Sequence, residues 1–267
     1  MTYKFINMTS EETGIVTIEL NRPEKKNAWN EAMRDEMRDS FRSVMYEPDT
    51  RVIIVKGAGG AFSSGEEVGE MLERRDENWT TRDFRRMAIR IHNLFDEIES
   101  CEIPVIAAID GICVCGGLEL ALSCDIRIAS DRSRFALIEG NVGFIPGSGG
   151  CSRLVKIAGL GTTKDFILSG DIIDAHEAKQ RGIINRVVPH EKFEEEVAAL
   201  AQKLAKKAPL TLGMAKHVIN LCADSNFNSS REFERLGQSV LMMTEDHYEA
   251  AAAFLEKRQA TVQFKGK

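Results

Sequence analysis

No stretch of this chain approaches the roughly eighteen consecutive apolar residues that a membrane-spanning helix requires. Its opening, MTYKFINMTSEETG, holds no apolar core of signal-peptide length. These two absences predict an intracellular, cytoplasmic protein with no membrane partner. Like charge is nowhere concentrated: 35 Lys and Arg against 41 Asp and Glu give a net charge of −6 without a basic block, so nucleic acid is not an expected partner. The six cysteines, Cys101, Cys113, Cys115, Cys124, Cys151 and Cys222, form no CxxC pair and have no histidine at zinc spacing. They read as reduced core residues, and no metal site is expected. The glycine-rich stretches GAGGAF at 57 and PGSGG at 146 lack the Lys-Ser/Thr of a phosphate-binding loop and the spacing of a dinucleotide fingerprint. The five histidines, at 92, 176, 190, 217 and 247, make no HExxH pair and have no GxSxG elbow to serve, so they read as surface or packing residues.

What the sequence does contain is an ordinary globular balance, 43% hydrophobic and 28% charged over 267 residues, enough to bury a sizeable core. Val16, Ile18 and Leu20 alternate with Thr17 and Glu19, predicting a half-buried strand over 13–20 that ends in a turn at Asn21-Arg22-Pro23. From Asn30, a plausible cap, Met33, Met37, Phe41, Val44 and Met45 recur at helical spacing up to Pro48. Val52–Val55 reads as a buried parallel strand feeding the loop 57–67. Residues 81–99 place Phe84, Met87, Ala88, Ile91, Leu94, Phe95 and Ile98 on one helical face, and Val105–Ile109 is a further buried strand. Gly116-Gly117 then opens a helix buried on nearly every side, with a strand from Ile126 to Ala129 behind it. Strands alternating with helices define an α/β fold on largely parallel strands. Strands become rare beyond about Ala175, where helices carry Phe193, Val197, Leu200, Leu204, Leu236, Val240 and Met243. Residues 1–190 are thus expected to form the core and 191–267 a helical region, continuous with it as one unit because no linker intervenes.

Glu119 is the most unusual side chain. Its neighbours within four residues in CGGLELALSC are all apolar, small or glycine, so its carboxylate is expected to lose water and to bind its proton more tightly. That suits either a proton-transfer group or a structural glutamate held by a distant arginine. Glu139, in RFALIEGNVGFIPGSGG, read alone is a solvated loop-edge residue. Paired with Glu119 it completes the minimum apparatus for adding water across a polarised double bond: one carboxylate activates water while the other delivers a proton. Gly116 and Gly117, at a helix start, offer free backbone N–H groups at the positive end of the macrodipole, and the Ser64-Gly65-Glu66 loop can supply another. Tight packing would account for the same glycines.

The motifs NRPEKKNA at 21–28, AFSSGEEVGEM at 61–71, IPVIAAIDGICVCGGLELALSCDIRIAS at 103–130, FALIEGNVGFIPGSGG at 135–150 and LSGDIIDAHEAKQRGIINRVVP at 168–189, closed by AAAFLEKR at 251–258, occur in order along the chain. With them the sequence resembles the enoyl-CoA hydratase/isomerase (crotonase) family from end to end, and most closely its enoyl-CoA hydratases. The resemblance implies an α/β fold built as a spiral of ββα turns with a helical C-terminal trimerisation region. It implies trimers that often pair into hexamers, and a coenzyme A thioester as substrate with no separate cofactor. Residue by residue, Glu119 and Glu139 match the two catalytic glutamates, and Glu66 and Gly116 the backbone donors of an oxyanion hole. Lys25, Lys26, Ala28, Ser64, Glu66, Glu67, Val68, Gly69 and Gly116 are the implied substrate and coenzyme A contacts, with Phe254 and Lys257 supplied by a neighbouring subunit.

The expected reaction is hydration of a 2-enoyl-CoA to a 3-hydroxyacyl-CoA, or its reverse, in fatty acid metabolism. The alternatives are another acyl-CoA reaction on the same fold (double-bond isomerisation, dienoyl-CoA hydration, or dehydration of a specialised acyl-CoA such as carnitinyl-CoA) and a catalytically idle binding scaffold. Four positions depart from the family pattern. Glu66 stands where a small residue is usual, Gly69 where a basic one is common, Cys115 replaces the first glycine of a triplet, and Ile138 replaces a proline.

Overall fold

The computed structural model describes residues 2–258 and 262–267. The chain opens with strands β1 (Ile6–Ser10) and β2 (Ile15–Leu20), followed by helix α1 (Glu31–Met45). Next come β3 (Val52–Gly57), β4 (Ala61–Ser63), α2 (Val68–Asp76) and α3 (Thr81–Ser100). The centre contains β5 (Val105–Ile109), β6 (Ile112–Val114), α4 (Gly116–Ser123), β7 (Ile126–Ser130), β8 (Arg134–Ala136) and α5 (Gly150–Ser169). After β9 (Ile173–Asp174), α6 (Ala175–Gln180) and β10 (Arg186–Val188), the chain is helical: α7 (Phe193–Ala205), α8 (Pro209–Ala223), α9 (Phe227–Leu241) and α10 (Glu245–Leu255).

The strands form two sheets. The larger has the order β1-β2-β3-β5-β7-β10, antiparallel only at β1–β2; the smaller has the order β4-β6-β8-β9, antiparallel only at β8–β9. Three strands of the large sheet run within a few residues into a short strand of the small one: β3 into β4, β5 into β6, β7 into β8. A helix then returns the chain for the next pair, which is the spiral of ββα turns implied by the resemblance.

Local chemistry explains the helix starts. The Asn30 side chain accepts from Met33 N at 2.9 Å, capping α1 where the periodicity placed its beginning. Thr80 and Asp83 exchange hydrogen bonds as a capping box at the head of α3. The core between the sheets and helices holds Phe41, Phe62, Phe95, Phe135 and Phe166, all fully buried. A second core lies on the other face of the large sheet, where Phe193, Val197, Leu200 and Ala201 of α7 cover Ile15, Val52, Ile54, Ile106 and Ile128. The first helix beyond residue 190 is therefore part of the sheet packing. Lys216 of α8 ties a second C-terminal helix inward, pairing with Asp125 at 2.8 Å and donating to the Ile98 and Ile103 carbonyls. No helix of the described residues is long and apolar enough to cross a membrane.

The cysteines correct one expectation. Cys101, Cys113 and Cys124 are buried free thiols, but Cys115, Cys151 and Cys222 are only partly buried. The first two leave the core because they stand at the starts of α4 and α5, beside the carboxylates described next.

Candidate active site

The small sheet gathers the site. β4, β6 and β8 are neighbouring parallel strands, so the segments leaving their carboxyl ends emerge side by side. Glu66 lies just after β4, Gly116 just after β6, and Glu139 just after β8. The crevice at the carboxyl ends of parallel strands is where α/β sheets commonly bind ligands.

Two backbone donors meet there. Gly116 is the first residue of α4, so its N–H has no acceptor within the helix and lies at the positive end of its dipole. Trp29 and Glu66 form an isolated parallel bridge whose bonds run from Trp29 N–H to Gly65 O at 2.8 Å and from Glu67 N–H to Trp29 O at 2.9 Å. The N–H of Glu66 takes no part in this pairing. The two segments touch: a Cβ on Gly65, which has φ +85°, would come within 2.7 Å of the Gly116 nitrogen. A Cβ on Gly116 would meet the Trp29 ring at 3.0 Å. Only glycine lets these backbones approach so closely, so packing and an open pair of donors are two consequences of the same residues.

The turn into α4 also shows why a glycine is usual at Cys115. Its φ of 50° and ψ of −130° lie in a region that costs an L-residue of order 1–3 kcal/mol.

Glu119, one turn into α4, is 4% exposed. Its Oε1 accepts from Ser148 N at 2.7 Å and Gly150 N at 2.9 Å, where the loop before α5 turns into the helix. No arginine side chain hydrogen-bonds to it among the described residues; Arg153 acts at one remove. That guanidinium is buried, pairs with Asp96 at 2.5 Å and Glu99 at 2.9 Å, and donates to Ser148 O at 3.3 Å, bracing the loop whose N–H groups hold the carboxylate. Burial pushes the Glu119 pKa up, against the pull of the Gly150 and Ser148 N–H groups and of nearby His92 and Arg153.

Glu139 begins a short 3-10 turn over Glu139–Val142 and is 2% exposed, so the expectation of a solvated loop residue, formed from its position alone, does not hold. Its Oε2 is buried with no hydrogen-bond partner. Burial, reinforced by the charge of Glu119, pushes its pKa up to about 7, while its own backbone N–H and the Cys115 thiol act in the other direction. Cys115 is in turn pushed up to about 11, by burial first and by Glu139 next, and stays a neutral thiol. Burial also raises Cys151, with further contributions from Glu119 and Glu139.

The loop 22–30 closes one side. Ser64 N donates to Lys26 O at 3.0 Å, and the Ser64 hydroxyl reaches Lys25 O at 3.4 Å. Lys25 pairs with Glu67 at 3.4 Å but stays half exposed, and Arg22 holds Glu67 at 2.6 Å, drawing its pKa down. Lys25, Lys26, Ala28, Ser64, Glu66 and Glu67 are thus assembled in one place. Val68 and Gly69 continue them as the first turn of α2, and a Cβ on Gly69 would meet nothing within 4 Å. Phe254 and Lys257 are not drawn into this assembly by any described contact. Phe254 projects from α10 with 70% of its surface exposed, and Lys257 follows it at the helix end. Sequence reasoning missed Trp29, Arg34, Arg74, Ser148, Gly150 and Arg153. Ser148 and Gly150 act through backbone, and Arg34 and Arg153 lie far along the chain from the glutamates they serve; only Arg74, four residues from Glu70, carried a local signal.

Comparisons with known proteins show the family. The family model described as enoyl-CoA hydratase/isomerase matches residues 10–267, and the chain belongs to that family. It is 34% identical over 257 residues, 96% of this chain and 84% of the other, to the "Probable enoyl-CoA hydratase 2, mitochondrial" of Arabidopsis thaliana. It is 33% identical over 255 residues, covering 95% and 96% of the two chains, to the "Short-chain-enoyl-CoA hydratase" of Clostridium acetobutylicum. Among solved structures, enoyl-CoA hydratase from Bacillus anthracis superposes with a TM-score of 0.92 at 33% identity, covering 99% of this chain and 100% of that one.

Proposed function

We propose that the protein hydrates a 2-enoyl-CoA to a 3-hydroxyacyl-CoA, or runs the reverse dehydration, as a hydro-lyase. The observation that carries this reading is two buried carboxylates of opposite hydrogen-bond status beside two unpaired backbone N–H groups. The thioester oxygen sits between the Glu66 and Gly116 N–H groups, which stabilise the enolate-like charge that develops as the double bond is attacked. Glu119, whose charge is supported by two N–H donors, accepts a proton from water as the water oxygen bonds to Cβ. Glu139, whose unpartnered oxygen favours the protonated form, delivers a proton to Cα. One C–O and one C–H bond form, one π bond is lost, and the two carboxyls exchange a proton through solvent or product before the next turnover. The reaction so assigned is complete without a metal or redox cofactor; coenzyme A enters as part of the substrate.

Lys25 and Lys26, on the loop beside Ser64 and Glu67, are placed to meet the coenzyme A phosphates. Phe254 and Lys257 reach the site of a neighbouring subunit in a homotrimer, which pairs into a hexamer. Support for the assembly comes from the large apolar side chains left exposed on α8–α10, including Ile219, Leu236, Val240, Met243, Phe254 and Leu255. Light scattering on the purified protein gives three or six chains per particle under this reading; a monomer would exclude it.

The test of function is incubation with crotonyl-CoA, a cyclic dienoyl-CoA and a 3-enoyl-CoA, following the conjugated-thioester absorbance together with the mass. Gain of one water is expected on crotonyl-CoA. A displaced double bond at unchanged mass would make the protein an isomerase instead, and no change on any of the three would remove the hydratase reading.

A further inference from the structure

The acidic residue at the oxyanion position raises a physical problem. Glu66 supplies a backbone donor for a developing negative charge, yet carries a negative side chain of its own on the same residue. An uncompensated carboxylate that close would oppose the charge the N–H is there to stabilise.

The structure compensates it twice. Glu66 Oε1 receives Arg34 Nη1 of α1 at 3.0 Å and Arg74 Nη2 of α2 at 2.5 Å. Both guanidiniums also hold Glu70, Arg34 at 3.0 Å and Arg74 at 3.2 Å, and Glu70 Oε1 accepts the Glu31 N–H at 2.8 Å. Two cations thus face two carboxylates. Both arginine side chains are only 11% exposed, which makes the pairing far stronger than one in open water. The arrangement draws the Glu66 side chain toward α1 and α2, and pins the segment carrying its N–H to two helices.

We propose that Arg34 and Arg74 are positioning residues for the reaction: they neutralise the Glu66 carboxylate and fix the direction of the Glu66 N–H. The inference rests on the oxyanion role assigned to Glu66 above. It makes this acidic residue tolerable only in company with the two arginines, which act through Glu66 without touching substrate.

Replacing both cations, Arg34→Met with Arg74→Met, leaves the carboxylate in place without its partners. The expected result is a kcat on crotonyl-CoA lower by about 10²-fold, with KM changed less than about threefold, as for loss of an oxyanion donor. The red shift of bound cinnamoyl-CoA, a direct reading of carbonyl polarisation, shrinks in parallel. Adding Glu66→Ala to the double variant keeps the backbone donor, removes the stray charge, and recovers at least about tenfold in kcat together with the red shift. If the arginines only held the helices together, removing the carboxylate would restore nothing. Lack of recovery, or normal turnover and normal shift in the double variant, would overturn the inference. Should the double variant not fold, Arg34→Met and Arg74→Met singly carry the same comparison, each with a loss of about fivefold that Glu66→Ala relieves. Failure of the hydratase reading would show separately, as a wild-type protein that adds no water, whereas the absorbance shift needs no turnover.

Discussion

Glu119 and Glu139 lie in the same crevice and are almost equally hidden, at 4% and 2% exposure, yet their surroundings treat a negative charge differently. The Glu119 niche was built by a loop turning into α5, so two N–H groups converge on one of its oxygens. The Glu139 niche is a single 3-10 turn that brings no donor to Oε2. Burial raises both pKa values; two loop N–H groups converge on Glu119, whereas Glu139 has its own N–H and the neutral Cys115 thiol, which leave Oε2 without a partner. Desolvation alone therefore does not distinguish an acid from a base; the unpartnered oxygen of Glu139 does. Under the proposed reaction this difference suits Glu119 to work ionised and Glu139, at about 7, to work protonated.

The comparison can be broken most severely at its shared partner, the donor pair. Gly116→Pro removes the α4 N–H, and kcat should fall about 10²–10³-fold. Gly116→Ala, which adds the same first carbon near Trp29 but keeps the N–H, separates crowding from donor loss, and should retain clearly more activity than the proline variant. Next in size, Ser148→Pro deletes one of the two N–H bonds that make the niches unlike, and is expected to lower kcat about 10–100-fold and to raise the acidic limb of the pH–rate profile. Hydration by wild type should in turn decline as pH rises through about 7, where Glu139 loses its proton, and Glu139→Gln should abolish proton delivery at any pH.

The same residue makes a prediction for stability. Its pKa is raised on folding, so the folded state holds the proton more tightly than the unfolded chain. Stability is then greatest below the ordinary glutamate range and declines as pH rises to about 7. Glu139→Gln should leave melting near pH 4 almost unchanged and stabilise the protein at pH 8 by about 1–3 kcal/mol, measurable by thermal denaturation at the two pH values. The smallest effect expected is at the turn into α4. Cys115→Gly relieves the positive φ and should raise stability by about 1 kcal/mol, a Tm increase of roughly 2–4 °C.

Much of this was legible in the residues themselves. Periodicity located β2, α1 and α3, and the unbroken apolar setting of Glu119 announced its burial. β1 escaped because only Ile6 in INMTS is buried, so no alternation marks the strand. β4, β6 and β8 have three residues each, too few for a period, although together they collect the site. Glu139 looked solvated because its burial comes from the fold around a short turn and not from its neighbours in sequence. The α1 half of the hold on Glu66 was equally hidden: Arg34 is 32 positions away, and no charge pattern along one helix would join α1 to the end of β4. Backbone donors such as Ser148 N carry no residue signature at all.

The most direct test of the division of labour between the two glutamates is hydration of crotonyl-CoA in deuterium oxide, following deuterium at Cα of bound and released thioester by NMR in wild type and in Glu139→Gln. Wild type should place one deuterium at Cα in the product, and the variant should bind the thioester yet show no Cα exchange. Undiminished Cα deuteration in the variant would contradict the assignment of Glu139 as the proton donor, and with it the contrast between the two niches.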